Sequence, residues 1–191
     1  MRIVPTVQRV GRSAREAFCL HLAGLQAEDV RLRFGGPLAP ASIAAYVEHI
    51  DFDRDAVFAV YDDNLAIIGA AHVGFFDDAA ELGVSVAIEH RGRGIGSALF
   101  LRTSEHARNR RTMRLYMHCL AENAAMLTIA RRAGMSIVVS AGEADAHLAL
   151  PPASPTSVTR EYVSDQLALI DFAQKSYLDA LRRAADAVQK S

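Results

Sequence analysis

The sequence lacks the features that define several common classes of protein. It has only two cysteines, Cys19 and Cys119, which lie far apart and form no CxxC pair, so we predict two reduced thiols. No apolar run approaches the ~20 residues that a membrane-spanning helix needs. The N-terminus has neither the apolar core nor the cleavage site of a signal peptide. These absences predict a soluble, cytoplasmic protein that binds no membrane.

The chain also lacks an excess of charge of either sign. Its 191 residues carry a formal net charge of −1, and arginine supplies nearly all of the positive charge. Without a basic surplus or aromatic residues interleaved with the arginines, nothing indicates nucleic-acid binding. Apolar residues make up 51% of the sequence, which is enough for the core of one compact domain.

The pattern of apolar residues predicts a fold that mixes strands and helices. In chain order the predicted elements are a strand over 2–10, a helix over 14–23 capped by Ser13, a helix over 42–50, strands over 56–61, 65–75 and 82–88, a helix over 95–109, a strand over 115–119, a helix over 123–133, and strands over 136–140 and 146–150. The first three strands after the second helix are expected to pair in antiparallel order because short turns join them.

A helical extension is predicted after the main domain. We assign 1–150 to the main domain, 151–159 to a linker rich in proline and serine, and 160–191 to the extension. Apolar residues recur there at alternating four- and three-residue spacings, as in a helix that packs along one seam. The seam comprises Val163, Leu167, Ile170, Tyr177, Leu181, Ala184 and Val188, with Gln174 as its one polar member. This helix packs either on its own domain or on a second protomer, which would make the protein a homodimer.

The most informative segment is a glycine-rich loop that joins the predicted strand over 82–88 to the helix over 95–109. Glycines stand at 92, 94 and 96, and the missing Cβ atoms let the backbone turn tightly and approach a ligand. The first amides of the following helix have no intrahelical partner and lie at the positive end of its dipole. Such a helix start binds phosphate or pyrophosphate, and Arg91 and Arg93 add cationic donors.

Three kinds of glycine-rich loop can join a strand to a helix in this way: a nucleotide P-loop, a Rossmann loop and an ordinary turn. A nucleotide P-loop needs a lysine and then serine or threonine after its last glycine, and no such lysine follows Gly96. A Rossmann loop has the spacing G-x-G-x-x-G early in a βαβ unit, whereas this loop is G-x-G-x-G after an antiparallel run. An ordinary strand-to-helix turn is the remaining structural alternative.

The segment Arg91-Gly-Arg-Gly-Ile-Gly96 resembles the signature of the GNAT acetyltransferases, which is Gln or Arg, two residues, Gly, one residue, and Gly or Ala. The resemblance extends over about 15–150 and includes an asparagine and a glycine at the ends of the helix over 123–133. It implies a mixed α/β fold with a mostly antiparallel twisted sheet flanked by helices. It also implies acetyl-coenzyme A as co-substrate and no metal.

The resemblance further implies which residues bind the coenzyme. The loop would hold the pyrophosphate, main-chain groups of the preceding strand would bind the pantetheine arm, and Asn123 would bind the same arm or serve as a helix N-cap. A strand amide near Val86 would polarise the thioester carbonyl. The implied coenzyme-binding residues are Val84, Ser85, Val86, Arg91, Gly92, Arg93, Gly94, Ile95, Gly96, Ser97 and Asn123.

Candidate catalytic residues follow from what acetyl transfer to an amine requires. A base must take a proton from the ammonium group, and Glu81 at the start of the fourth strand is the first candidate. His118 on the fifth strand is the second, and His72 is the third. Many GNAT enzymes carry a tyrosine where this chain has Ala130, so water, His118 or the hydroxyl of Tyr116 would have to protonate the leaving thiolate.

Together these residues predict an enzyme that transfers the acetyl group of acetyl-coenzyme A to a primary amine by direct attack in a ternary complex. The acceptor could be a small molecule or a lysine or N-terminus of a protein. The alternative is a non-catalytic acyl-coenzyme A sensor, which the alanine at position 130 and the C-terminal helix both suggest.

Overall fold

A seven-stranded sheet carries helices on both faces in the computed structural model, which describes residues 5–189. In chain order the elements are β1 (Gln8–Val10), α1 (Arg15–Ala23), α2 (Ala27–Phe34), α3 (Pro40–Glu48), β2 (Ala56–Tyr61), β3 (Ile67–Phe76), β4 (Ala79–Val86), α4 (Ile95–Asn109), β5 (Arg114–Leu120), α5 (Ala124–Arg132), β6 (Ser136–Ser140), β7 (Glu143–Ala149) and α6 (Pro155–Gln189). The strand order is β1-β2-β3-β4-β5-β7-β6, and every pair of neighbours is antiparallel except β4 and β5. The predicted fold class is confirmed.

The two faces of the sheet are buried by different helices. Strand alternation directs Leu82 and Val84 of β4 into a core beneath α4 and α5, where Leu99 and Met117 also pack. The other face packs against α1 and α3, and Phe18 is fully buried there. Residues of β4 between those core positions therefore point toward α1, α2 and α3.

Two predicted helix starts are wrong. Ser13 does not cap α1, because the N–H of Ala14 donates to the carbonyl of Gly11 at 3.0 Å and holds Ser13 within a 3-10 turn that precedes the helix. The linker predicted over 151–159 ends early, since α6 begins at Pro155. Ser154 and Ser157 cap it reciprocally, with backbone N–H to Oγ distances of 3.0 and 3.2 Å.

Helix α2 was not predicted from the sequence. Within it only Val30 is buried, so the apolar period that reveals a packed helix is missing. Gly35 ends the helix in the left-handed region at φ 77°. Residues 2–4 of the first predicted strand and the side chain of Val188 lie outside the described residues. Over the residues described, no helix is long and apolar enough to cross a membrane.

The start of α6 packs on α4 through a buried polar cluster. Glu161 accepts hydrogen bonds from His106 Nδ1 at 2.6 Å and Asn109 Nδ2 at 2.6 Å, and Arg102 lies 3.2 Å away. Burial alone would raise the pKa of Glu161, but the hydrogen bonds from His106 and Asn109 and the nearby cations outweigh burial and lower the pKa to about 2. The helix is therefore anchored on its own domain by paired charges rather than by apolar contacts alone.

Candidate active site

A cavity of about 490 Å³ opens between β4, α2, the glycine loop and α5. Ten of the residues that the sequence predicts for coenzyme binding line this cavity, and Arg93 does not, because its guanidinium donates to the carbonyl of Glu89 at 3.2 Å. The ten are Val84, Ser85, Val86, Arg91, Gly92, Gly94, Ile95, Gly96, Ser97 and Asn123.

The cavity exists because β4 and β5 pair only at their beginnings. The parallel register joins 79–81 of β4 to 114–116 of β5, and beyond it the strands diverge. The N–H of Ala87 donates to the carbonyl of Ile68 at 2.9 Å. In an antiparallel ladder every second residue forms hydrogen bonds to the same neighbour, so the backbone groups of Ser85 and Gly83 also bond to β3. The backbone groups of Val84 and Val86 consequently face the gap. We call this divergence of the two strands the fork.

The glycine loop places a free helix start at the open end of the fork. Gly92 and Gly94 adopt φ of 73° and 85°, a left-handed conformation that favours glycine. Gly94 precedes α4 without any side-chain cap, and Ala98 N–H is the first to bond back to its carbonyl, at 2.9 Å. The amides of residues 95–97 have no hydrogen-bond partner within the described chain and can bind an anion.

Gly96 has a different role from the other two glycines of the loop. A Cβ atom at this position would lie 3.0 Å from Ile129 Cδ1 of α5. A side chain here would have to displace Ile129, so the close approach of α4 and α5 beneath the gap favours glycine, whereas the space beside Gly92 and Gly94 is open to a ligand.

The arginines of the site are not equivalent. Arg91 donates from Nε to the carbonyl of Val86 at 3.1 Å and pairs through Nη2 with Asp29 of α2 at 2.6 Å. It therefore fixes the loop to β4 and α2 in addition to offering charge. Arg132, in the last turn of α5, lines the cavity and forms no ion pair within residues 5–189. Arg132 was not predicted from the sequence as a coenzyme-binding residue, although its place in the last turn of the predicted helix over 123–133 could be read there.

Asn123 is the N-cap of α5. Its Oδ1 accepts from the N–H of Met126 at 3.1 Å, and its Nδ2 donates to the carbonyl of Leu32 at 3.3 Å. The side chain therefore joins α5 to α2 at the wall of the cavity. Ala130, the position where a tyrosine was expected from the resemblance, is fully buried in the core and offers no proton.

The first two catalytic candidates lie on the same face of the sheet. Glu81 and Tyr116 are register partners at the fork, and alternation puts His118 on the face that they share. Glu81 is exposed, and neither Glu81 nor His118 forms part of the cavity wall. The hydrogen bond between His118 Nδ1 and Asp145 Oδ1, at 2.8 Å, is the main cause that raises the pKa of His118.

Two other histidines lie on the side of the sheet that packs against α1 and α3, where His21 is buried and His72 is partly buried. His72 binds Tyr46 Oη at 2.7 Å, and burial, followed by the charge of Arg33, lowers its pKa. His21 of α1, which sequence reasoning missed, lies 2.9 Å from Ser85 Oγ. Burial lowers the pKa of His21 to about 4, so the neutral ring fixes Ser85 at the edge of the cavity. The one signal in the sequence for the contact between His21 and Ser85 was the place of His21 on the face of α1 that packs against the sheet.

The fold and the cavity define an α/β protein that can hold an elongated anionic ligand between two strands. A sequence model of the acetyltransferase (GNAT) family matches residues 27–135, more than half of the chain. The chain therefore belongs to the GNAT acetyltransferase family, whose members are acyltransferases. A search of curated proteins finds no significant match.

Several solved structures share this fold. The GNAT domain of S. lividans PAT is 21% identical, with a TM-score of 0.66 over 78% of this chain and 95% of its own. A phosphinothricin acetyltransferase from Sinorhizobium meliloti, solved with acetyl-coenzyme A, is 17% identical, with a TM-score of 0.59 over 80% and 95%. YncA from Salmonella typhimurium, solved with its cofactor acetyl-coenzyme A, is 18% identical, with a TM-score of 0.58 over 78% and 96%.

Replacing Gly94 by leucine should abolish tight binding of acetyl-coenzyme A. The substitution strains a residue at φ 85° and places a side chain against the free amides of α4. We expect the dissociation constant measured by calorimetry to rise by at least about 30-fold, corresponding to about 2 kcal/mol.

Gly142 provides a matched control because it has φ 86° and equally open surroundings in the turn between β6 and β7. Gly142→Leu carries the same backbone strain but should leave the affinity for the coenzyme unchanged. Retained affinity in Gly94→Leu would show that the loop does not hold the pyrophosphate.

Proposed function

We propose that the protein is an N-acetyltransferase that moves the acetyl group of acetyl-coenzyme A to a primary amine by direct attack in a ternary complex. The observation that carries this proposal is the fork, which has a free helix start at its open end and the exposed carboxylate of Glu81 at its closed end. Family membership supports an acyltransferase, and the fork supports coenzyme A as the carrier of the acyl group.

The residues of the open end fit a coenzyme. The unbonded amides of residues 95–97 suit its pyrophosphate, and Arg132, which has no ion pair among the described residues, is a cation in the same cavity. Val84 and Val86 offer backbone groups to the amides of an extended arm, in the way that a neighbouring strand would. When bound, acetyl-coenzyme A supplies an activated acyl group. The N–H groups of Val84 and Val86 both face the gap, and the one beside the thioester would stabilise negative charge on the carbonyl oxygen, with Val84 the nearer of the two to Glu81.

Glu81 acts as the general base in this proposal. It stands where the two strands meet, so a ligand arm that follows β4 away from the glycine loop ends close to it. Its exposed carboxylate attracts a cationic amine and takes a proton from it, directly or through one water. The neutral amine is the form that can attack the thioester.

His118 is the proton donor that we propose for the departing thiolate. Asp145 raises the pKa of His118, which keeps the ring protonated over a wider range of pH. Tyr116 beside it is the other candidate, since its hydroxyl lies on the face that Glu81 shares. A thiol has a pKa of about 8.5, so the thiolate is a good leaving group that needs little assistance.

Glu81→Gln should lower the acceptor-dependent release of coenzyme A thiol by at least about 100-fold, because the amide cannot take the proton. The dissociation constant for acetyl-coenzyme A should change by less than about twofold, since residue 81 lies outside the cavity wall. Thiol release with a panel of amines and peptides measures the first quantity, and calorimetry measures the second.

Glu89→Gln is the matched control, because Glu89 is an equally exposed carboxylate in the turn that follows β4. This variant should keep wild-type turnover. Undiminished turnover in Glu81→Gln would remove Glu81 from the mechanism. Tight coenzyme binding without thiol release in the wild-type protein would instead favour the non-catalytic sensor.

A further inference from the structure

Arg33 of α2 lies directly over β4 beside the fork. A Cβ atom built at Gly83 would lie 2.0 Å from Arg33 Cζ, so the guanidinium fills the space that a side chain at position 83 would occupy. Gly83 is two residues from Glu81 on the same strand, which places both on one face with a spacing of roughly 7 Å. The cation and the proposed base therefore border the same part of the sheet.

The charge of Arg33 is not neutralised within residues 5–189. Its Nη2 donates to Tyr46 Oη at 3.3 Å, its Nε is buried without a partner, and no carboxylate forms an ion pair with it. Arg31, two residues earlier on α2, is instead paired with Glu28 and Glu122, each at 2.6 Å. A partly buried cation without a counter-charge is costly unless a ligand supplies the missing anion.

A chain of hydrogen-bonded side chains, one of them buried and two partly buried, holds Arg33 in this position without cancelling its charge. Tyr46 Oη lies 2.7 Å from His72 Nδ1, and His72 Nε2 lies 3.4 Å from Asp55 Oδ2. Asp55 is itself paired with Arg54 at 3.1 Å. The lowered pKa of His72 favours the neutral ring, so the chain orients the guanidinium and leaves its outer N–H groups for a ligand.

We propose that Arg33 binds the carboxylate of the acceptor while Glu81 receives its amine, so that the acceptor is a small amino acid. This inference rests on the proposed acetyl transfer and adds the substrate class. The two opposite charges on one face of β4 match a zwitterion, and Arg33 forms the paired hydrogen bonds that a planar carboxylate accepts. An amine that lacks a nearby anion would leave Arg33 unpaired.

Thiol release from acetyl-coenzyme A should be compared for the L-amino acids and for their carboxamides, which keep the amine but lose the negative charge. At least one amino acid should be acetylated with a kcat/KM about 10- to 100-fold above that of its amide. Arg33→Gln should raise the KM of that amino acid by a similar factor and leave the amide unaffected, a split that a purely structural role would not produce.

Arg31→Gln is the matched control on the same helix and should not discriminate between acid and amide. Arg33 also lines the cavity that we assign to the coenzyme, so the affinity of Arg33→Gln for acetyl-coenzyme A is measured by calorimetry as well. An affinity within about threefold of wild type is expected if its charge serves the acceptor, and a loss of about 10-fold or more would assign that charge to the coenzyme and overturn the carboxylate site. Equal rates for acids and amides, or acetylation of lysine peptides only, would overturn the carboxylate site and leave the acetyltransferase assignment intact. Absence of thiol release with every amine, despite coenzyme binding, would overturn both.

A second and independent observation concerns the outer face of α6. Eight large apolar side chains there are between 48% and 65% exposed, and they include the predicted seam as far as Leu181. The charged residues between 162 and 181 are all part-buried and ion-paired, so this face has no charge. The eight are Tyr162, Val163, Leu167, Leu169, Ile170, Tyr177, Leu178 and Leu181.

The size of this face matches one side of a protein dimer. With each side chain about half exposed and contributing on the order of 90 Å², the eight together expose on the order of 700 Å². A standard interface buries about 800 Å² on each partner, and monomers rarely expose a contiguous apolar patch of this size.

We infer that the outer face of α6 pairs with α6 of a second copy of this chain. The alternating spacing of Val163, Leu167, Ile170, Tyr177 and Leu181 suits a partner helix that runs along the seam. Gln174 lies at the middle of that seam, and once covered its amide needs both a donor and an acceptor, which the same residue of a symmetric copy supplies. An uncharged surface offers nothing to attract a charged partner.

Sedimentation equilibrium of the full-length protein should give a dimer, and Ile170→Glu should weaken the dimer by at least about 100-fold because it places a charge in the seam. Val139→Glu is the control, since Val139 is an apolar residue of β6 with 59% exposure outside α6. Circular dichroism should show equal helix content in both variants. A wild-type monomer at ~100 μM, well above the micromolar range that such an interface reaches, or an unaffected dimer in Ile170→Glu, would overturn the inference.

Discussion

The structure depends on the short pairing between β4 and β5, which ends after three register pairs. Because the strands diverge there, the backbone groups of Val84 and Val86 lose a neighbouring strand and face open space. The glycine loop supplies unbonded amides at the far end of the same gap, and Glu81 stands where the gap closes. The missing strand pair leaves a gap that can hold an extended ligand, and the acetyl transfer that we propose would take place at the fork.

Helix α2 connects the two halves of the site. Asp29 pairs with Arg91 of the glycine loop, the carbonyl of Leu32 receives a hydrogen bond from Asn123, and Arg33 covers β4 beside the proposed base. With only one buried residue, α2 is stabilised mainly by these polar contacts. The ends that we propose for the coenzyme and for the acceptor therefore share one helix, so occupation of one end would affect the geometry of the other.

The sequence predicted what local patterns encode. The tight glycine turn before α4, the strand over 56–61 and the helix over 95–109 are visible in backbone chemistry and periodicity, and the structure contains all three. Helix α2 was missed because polar contacts rather than an apolar stripe hold it. The segment 29–36 lies where the resemblance places acceptor-site elements, but no role for Arg33 could be assigned from the sequence, since its position over β4 depends on Gly83, which is distant in the chain. The early start of α6 was misread because proline and serine mark linkers as well as helix starts.

Amide exchange measured by NMR along β4, with and without acetyl-coenzyme A, tests most directly whether the fork is the coenzyme site. The N–H groups of Gly83 and Ser85 bond to β3, whereas those of Val84 and Val86 face the gap. We expect the coenzyme to slow exchange at Val84 and Val86 by at least about tenfold and to leave Gly83 and Ser85 nearly unchanged. Unaltered exchange at Val84 and Val86 with the coenzyme bound would contradict this account.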